Sequence, residues 1–183
     1  MPHPAINFIL DTFQRRGSES YADEPVTQLQ HALQCAQLAR ENQASDSLVL
    51  ASLLHDLGHI MADSALPASL EEDLHDAHEA RAYDWLLNHF GAAVADPVHL
   101  HVAAKRYLCT TDPEYVKLLS PTSYKSYLDQ GGPMSEEEIQ AFEAEPHFEA
   151  ALTLRRWDDQ AKAADLQTPG LESYVPLMEA LMQ

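Results

Sequence analysis

An adjacent histidine and aspartate, His55 and Asp56, follow directly on an apolar run over residues 48–54. Such a run is typical of a buried helix, where a carboxylate beside an imidazole is costly unless something compensates it. A bound metal ion compensates both groups at once. The alternative is a pair of mutually satisfied core residues. Because histidines and acids recur along the rest of the chain, we favour a metal site.

The spacing around this pair adds a third polar side chain. On one continuous helix His59 would lie one turn after His55 on the same face, with Asp56 about 100° around the axis. One element would then supply two metal ligands and a nearby histidine. An earlier His31 and a distal Asp158 complete a sequence of candidate ligands.

Length and charge limit the range of functions. The chain has 183 residues, which predicts one domain spanning residues 1–183. A formal net charge of -18 argues against nucleic acid and against an anionic membrane surface as partners. An anionic substrate would therefore need a local basic pocket. The two cysteines predict no disulfide framework, and neither a signal peptide nor a membrane span is evident, so we expect a cytoplasmic protein.

Apolar periodicity and capping residues predict an all-α fold. No segment shows the alternation of a strand. We expect a loop over residues 61–69 and a turn over 130–134. The predicted helices cover residues 6–16, 27–42, 45–58, 70–88, a stretch from 96, 112–119, 120–128, a stretch from 135, 148–164 and 171–182.

The order of candidate ligands, His31 then His55-Asp56 then Asp158, resembles the HD-domain superfamily. That superfamily consists of all-helical metalloproteins that are mostly phosphohydrolases, which implies a single HD-domain helical bundle. Further segments resemble a small branch of it, the PhnZ-type mixed-valent diiron oxygenases. These segments are Tyr21-Ala22-Asp23-Glu24, Gln28-Leu29-Gln30-His31, His101-Val102-Ala103-Ala104-Lys105-Arg106-Tyr107-Leu108, Gln130-Gly131-Gly132-Pro133-Met134 and Arg155-Arg156-Trp157-Asp158.

The resemblance implies an activity and its cofactors. Enzymes of this branch use O2 to cleave the C–P bond of 1-hydroxy-2-aminoethylphosphonates. The products are phosphate and glycine, or glycine betaine when the substrate is trimethylated. The expected cofactors are two iron ions in a mixed-valent Fe(II)/Fe(III) state, with O2 as co-substrate and the phosphonate as the small-molecule partner.

The resemblance also implies a set of metal ligands. One iron would be bound by His31, His55, Asp56 and Asp158, and the other by Asp56, His78 and His101, with Asp56 bridging. Three further histidines are expected to lie at the surface or the rim of the site: His75, His89 and His99.

Two cations occupy positions that suit a bound phosphonate. Lys105 follows His101 by one helical turn, and Arg155 precedes Asp158 by three residues, so each shares a face with a candidate ligand. A pair of cations aimed at a metal site is how a protein would hold a phosphonate dianion. The alternative is a pair of solvated helix charges, as we expect for Lys117 and Lys125. Arg106 and Arg156 are expected to be structural.

The resemblance assigns roles to the remaining site residues. Ser123 and Ser126 would hydrogen-bond the phosphonate, and His59 would handle protons beside the metals. Tyr21 would cap an iron until substrate displaces it, and Glu24 would pair with the substrate ammonium. The intervening Ala22-Asp23 departs from the bulkier pair expected there, which could leave room for a trimethylammonium group.

Two other functions compete with the oxygenase. An HD phosphohydrolase would use metals to activate water against a phosphoester, with the same cationic pocket. A non-catalytic binding module on the same scaffold would need no intact ligand set. His78, His101 and the Tyr21/Glu24 loop favour the oxygenase, because a one-metal hydrolase requires none of them.

Overall fold

The computed structural model describes residues 3–61 and 78–183, and for residues 78–81 it describes the backbone alone. Within these ranges the chain forms helices and turns, and its only β-pairing is an isolated bridge between Ser20 and Thr27. The predicted all-α fold is therefore confirmed for the described part. Most of the predicted loop over 61–69, the start of the predicted helix over 70–88, and His75 lie outside the described residues.

The helices follow one another with short connections. In chain order they are α1 (Pro4–Arg16), α2 (Gln28–Glu41), α3 (Asp46–Leu54), α4 (Leu57–Met61), α5 (His78–Phe90), α6 (Ala92–Thr111), α7 (Pro113–Val116), α8 (Pro121–Asp129), α9 (Glu136–Glu143), α10 (Phe148–Gln160), a 3-10 turn (Leu171–Tyr174) and α11 (Val175–Leu181).

Local capping chemistry begins several of these helices where the sequence predicts. Thr27 and Ser135 each form a complete capping box, in which the cap hydroxyl and the side chain three residues later satisfy each other's backbone N–H groups. Ser45 accepts a hydrogen bond from the backbone N–H of Leu48 and so caps α3. The beginnings of α2, α3 and α9 are therefore confirmed.

The predicted helix over 45–58 is wrong in one respect that matters for the site. Helix α3 ends at Leu54, His55 and Asp56 form a turn, and α4 begins at Leu57. Gly58, expected to end the helix, lies buried inside α4. The break frees Asp56 from the helical position that a continuous helix would impose.

A second helix begins earlier than expected. We predicted a start at Asp96-Pro97, but α6 begins at Ala92 and contains Pro97. A proline costs an interior helix one backbone hydrogen bond, and here it is the sixth residue of the helix. The earlier start leaves His101 and Lys105 within the same helix, as predicted.

The packing of the central helices determines where the candidate site lies. Helix α6 packs against α3, α5 and α10, while α2 packs against α3 and α10. Their apolar faces form the largest core cluster, which includes the fully buried Leu50, Leu54 and Leu86. Four of these helices, α2, α3, α6 and α10, thus meet around one point. Within the described ranges no helix combines the length and hydropathy needed to cross a bilayer.

Candidate metal centre and active site

Five candidate ligands converge where these four helices meet. His31 lies in the first turns of α2, His55 and Asp56 in the break after α3, His101 in α6 and Asp158 near the end of α10. All five are buried. His78 begins α5, but its side chain lies outside the described residues, so its place in the ligand set stays a prediction.

The nitrogen and oxygen atoms of this cluster face one another at short range. The Nε2 atoms of His31 and His55 are 3.1 Å apart. The Nε2 of His31 lies 3.2 Å from Asp158 Oδ1, and the Nε2 of His55 lies 3.2 Å from Asp56 Oδ2. Such a set of nitrogens and carboxylates is the donor chemistry that iron and zinc take.

Backbone carbonyls fix which ring nitrogen of each histidine points inward. The Nδ1 of His31 lies 2.9 Å from the Ala161 carbonyl oxygen, and those of His55 and His101 lie 2.8 Å and 2.6 Å from the carbonyl oxygens of Ser52 and Val98. A carbonyl oxygen only accepts, so each Nδ1 carries the proton. In its neutral form each ring would therefore present an Nε2 lone pair to the cluster, as a metal ligand requires.

Asp56 faces both halves of the cluster. Its Oδ2 lies toward His31 and His55, at 3.6 Å and 3.2 Å, whereas its Oδ1 lies toward His59 and His101, at 3.7 Å and 3.5 Å. Oδ2 is buried and has no hydrogen-bond partner in the described part of the protein. A buried carboxylate oxygen without a donor is costly, and a cation between the histidines and this oxygen would remove the cost.

Electrostatics keep both carboxylates ionised. Burial raises the pKa of the Asp158 carboxyl, but Arg155, His55 and His31 outweigh it, and the net pKa lies well below the usual value. The pKa of Asp56 is likewise lowered, because the neighbouring histidines outweigh the effect of burial. Two ionised, buried carboxylates suit the ligation of a divalent cation.

Cys35 is a neighbour of the centre that the sequence analysis did not consider as a ligand. Its Sγ and the ring nitrogens of His31 and His55 all lie within 4.8 Å of one another. It follows His31 by four residues on α2, a spacing that could have drawn attention to it. Burial, together with Asp158 and Asp56, raises the pKa of the Cys35 thiol well above its usual value, which opposes the thiolate form.

A cavity of about 370 Å³ opens against one side of this cluster of candidate ligands. That size suits a small organic molecule. Asp56, His101 and Asp158 contribute to its wall. Every substrate-contacting residue predicted from the sequence also lines it: Tyr21, Glu24, His59, Lys105, Ser123, Ser126 and Arg155.

Lys105 is the cation of this pocket that lacks a carboxylate partner among the described residues. Its Nζ donates to Ser126 Oγ at 2.7 Å, and that hydroxyl donates to the Ser123 carbonyl oxygen at 3.0 Å. Burial and the nearby Arg155 lower the pKa of the Lys105 ammonium to about 8. A buried ammonium whose partner in the described structure is a single hydroxyl has capacity left for an anion.

Arg155 differs from Lys105 because its charge is already paired. Its Nη1 lies 2.6 Å from Asp158 Oδ2, and its guanidinium also contacts Asp159. Tyr115 donates a hydrogen bond to Asp159 from behind. The arginine therefore orients the Asp158 carboxylate while it lines the pocket, and Lys105 carries more of the free positive charge.

A tight loop carries Tyr21 over the cluster. The Tyr21 ring stacks on the His31 ring, with centroids 3.8 Å apart, and its hydroxyl lies 3.4 Å from Asp158 Oδ1. Burial, followed by Asp158 and Asp56, raises the pKa of the phenol, so it stays protonated. Ala22 has a φ of 47°, a left-handed conformation that the sequence pattern did not predict.

Glu24 has a partner that sequence reasoning missed. Lys162 Nζ lies 2.9 Å from Glu24 Oε1, and the Ser120 hydroxyl donates to the same oxygen. Burial raises the pKa of Glu24, but the bonds from Ser120 and Lys162 outweigh it, and the carboxyl pKa is lowered. The only sequence signal was a lysine four residues after Asp158.

The residues set aside in the sequence analysis lie away from the cluster. His99 is exposed and packs against Tyr83, while His89 is half-buried and its Nδ1 bonds the Trp85 carbonyl oxygen. Arg106 pairs with Glu138, as a structural role requires.

Curated relatives match almost the whole chain. The chain is 41% identical to a hydroxymethylphosphonate dioxygenase of Gimesia maris, over 100% of this chain and 90% of the relative. It is 37% identical to a [1-hydroxy-2-(trimethylamino)ethyl]phosphonate dioxygenase (glycine-betaine-forming) of Leisingera caerulea, over 97% of this chain and 90% of the relative. An uncharacterised protein of Acanthamoeba polyphaga mimivirus is 36% identical, over 94% of this chain and 80% of the relative.

No protein-family model matches the chain. At these identities over nearly full length, the two named relatives define its class, an oxygenase that acts on small phosphonates. The chain belongs to the phosphonate dioxygenase family.

Proposed function

We propose that this protein uses O2 to cleave the C–P bond of a 1-hydroxyphosphonate within a single domain. The observation that carries the proposal is a pocket of about 370 Å³ with a histidine and carboxylate cluster on one wall and the buried Lys105 on another. Membership of the phosphonate dioxygenase family supports it. The candidate substrates are 1-hydroxy-2-aminoethylphosphonate, its N-trimethylated form, and hydroxymethylphosphonate.

The donor set supports a dinuclear metal cofactor. His31, His55, Asp56 and Asp158 would hold one iron, and Asp56, His78 and His101 the other, because the two oxygens of Asp56 face different histidines. When bound, a mixed-valent Fe(II)/Fe(III) pair would supply the activation of O2. The choice of iron rests on the resemblance of the sequence to the diiron oxygenases, whose domain is an HD-type helical bundle.

The reaction balances without an outside reductant. For hydroxymethylphosphonate, HOCH2PO3²⁻ and O2 give HCOO⁻, HPO4²⁻ and H⁺. The C–P bond breaks, carbon gains one oxygen and loses four electrons, and phosphorus gains the other oxygen. A substrate with an aminoethyl group would yield glycine in the same way, and its trimethylated form would yield glycine betaine.

Protein groups around the pocket would position the phosphonate. Lys105 would form a charge-assisted hydrogen bond to a phosphonate oxygen, and the hydroxyls of Ser123 and Ser126 would accept or donate beside it. Arg155 would contribute a guanidinium N–H while it holds Asp158 in place. This arrangement also stabilises phosphate as the leaving group.

Two aromatic side chains would control access to the metal centre and the exchange of protons with solvent. Tyr21, stacked on His31 with its hydroxyl toward Asp158, would cover the metal centre until substrate enters. His59, with its side chain 29% exposed and its Nε2 3.7 Å from Asp56 Oδ1, would exchange protons between the pocket and solvent.

The test is a measurement of phosphate release and O2 consumption by protein reconstituted with iron, using the three candidate substrates. We expect one O2 to be consumed for each phosphate released. Under argon no phosphate should be released. Lys105→Gln should reduce the rate strongly, while the matched change Lys125→Gln on the exposed face of α8 should not.

Two results would contradict this function. Phosphate release that continues at full rate without O2 would indicate a hydrolase. An iron-loaded protein that releases no phosphate from any 1-hydroxyphosphonate would exclude the proposed substrate class.

A further inference from the structure

The Glu24 carboxylate, which the sequence suggested as the partner of a substrate ammonium, is already neutralised by the protein. Lys162 Nζ lies 2.9 Å from Glu24 Oε1 and 3.4 Å from Ser120 Oγ. The two charged side chains are 14% and 11% exposed, so water screens their attraction only weakly. The pair lies on the pocket wall, where both residues contact the cavity.

The backbone that carries Lys162 is held on both sides. The Ala161 carbonyl oxygen accepts from His31 Nδ1 at 2.9 Å. The Ala163 carbonyl oxygen accepts from Gln34 Nε2 at 2.8 Å, and the Ala163 N–H donates to Gln34 Oε1 at 3.0 Å. Because α2 fixes both neighbours, movement of the backbone cannot carry the lysine away from Glu24 without breaking these bonds.

In the described part of the pocket wall, no carboxylate besides Glu24 is placed to pair with a cationic substrate. Among its described lining residues the acids are Glu24, Asp56 and Asp158. Asp158 is paired with Arg155, and Asp56 faces the histidines of the metal cluster. An ammonium entering beside Glu24 would therefore meet the like charge of Lys162, or would have to displace it.

We propose that Lys162 is a specificity-determining residue that occupies the ammonium position beside Glu24 and selects 1-hydroxyphosphonates without a cationic group. Hydroxymethylphosphonate represents that substrate class. The inference rests on the proposed function and narrows it. It competes with the expectation that Ala22-Asp23 leave room for a trimethylammonium group, and the experiment below distinguishes the two.

The experiment compares kcat/KM for hydroxymethylphosphonate with kcat/KM for 1-hydroxy-2-aminoethylphosphonate in one iron-loaded preparation. The ratio is independent of the active fraction of protein. Wild type should favour hydroxymethylphosphonate by about tenfold or more, the equivalent of one close charge interaction in a largely buried site. Lys162→Met keeps a long side chain but removes the charge, so it should lower that ratio by about tenfold.

Two control variants isolate the charge. Lys162→Arg should keep the wild-type ratio, because it keeps a cation beside Glu24. Lys125→Met removes an exposed lysine from α8 and should leave the ratio unchanged. Calorimetric titration of the iron-loaded protein under argon should show the same order in affinity, with the aminated substrate binding more tightly to Lys162→Met than to wild type.

The outcomes separate the inference from the proposed function. A ratio that Lys162→Met leaves unchanged, or a wild type that prefers the aminated substrate, would overturn the role of Lys162 while O2-dependent phosphate release still supports the oxygenase. If no 1-hydroxyphosphonate releases phosphate, the proposed function fails, and the role of Lys162 fails with it.

Discussion

Asp56 is placed so that one carboxylate could bind metal on both sides of the candidate site. Its two oxygens face different pairs of histidines, and one of them has no hydrogen-bond partner among the described residues. A carboxylate in that position destabilises a metal-free core, because its charge is buried without a donor. Two cations on either side of it would remove that cost. The chemistry of the adjacent His55-Asp56 pair in the sequence pointed to this site, but only the fold shows which oxygen faces which ring.

Lys105 leads to a prediction about pH. Burial lowers the pKa of its ammonium to about 8, so it is charged below that pH and loses its proton as the pH rises through it. The affinity for a phosphonate should therefore fall above about pH 8. Losing a charge-assisted hydrogen bond costs about 1.5–3 kcal/mol, roughly tenfold or more in Kd.

The measurement is a set of substrate titrations under argon from pH 6.5 to 9.5. In Lys105→Arg the cation persists across this range, so the decrease above pH 8 should disappear. A decrease of the same size in both proteins would assign it to another group. Iron content, measured on each sample, controls for loss of metal.

Helix ends were the elements that the sequence predicted best, because capping is local chemistry. Thr27 and Ser135 carry complete capping boxes in the predicted places. The break between α3 and α4 and the inclusion of Pro97 in α6 were missed, because both depend on packing against distant helices. The pairing of Glu24 with Lys162 joins residues 138 positions apart, and no local pattern encodes such a pair.

The cap of α2 leads to a prediction at the scale of the element. Thr27 caps the helix whose first turn carries His31, so loss of its hydroxyl should loosen this proposed metal ligand as well as the helix. Thr27→Ala should cost about 1 kcal/mol, or roughly 2–4 °C in Tm. Ser135→Ala removes the same kind of cap from α9, away from the site, and is the matched control.

Both variants should lose similar stability in the metal-free protein, but Thr27→Ala alone should release iron faster to a chelator. Differential scanning calorimetry and the rate of iron transfer to the chelator are the two readouts. Equal release rates would show that the α2 cap does not support His31.

At the scale of the whole molecule, the candidate metal centre joins parts of the chain that are far apart in sequence. Its ligands come from α2, the break after α3, α6 and α10, which pack on one another through the main apolar core. The chain also carries a net charge of -18, and the cluster buries two ionised carboxylates among its histidines. Cations at this point would offset local repulsion and link the four helices together.

Removal of metal should therefore lower the stability of the entire fold. At a free metal concentration of about 100 times Kd, one bound ion stabilises the folded state by about 2.7 kcal/mol, or roughly 5–10 °C in Tm for a chain of this size. We expect Tm to fall by at least this amount on chelation and to recover when Fe(II) is added back.

In Asp158→Ala the difference between the metal-loaded and metal-free Tm should shrink, whereas His99→Ala, at an exposed histidine, should keep it. Equal Tm values for metal-loaded and metal-free wild type would show that the centre does not connect these helices.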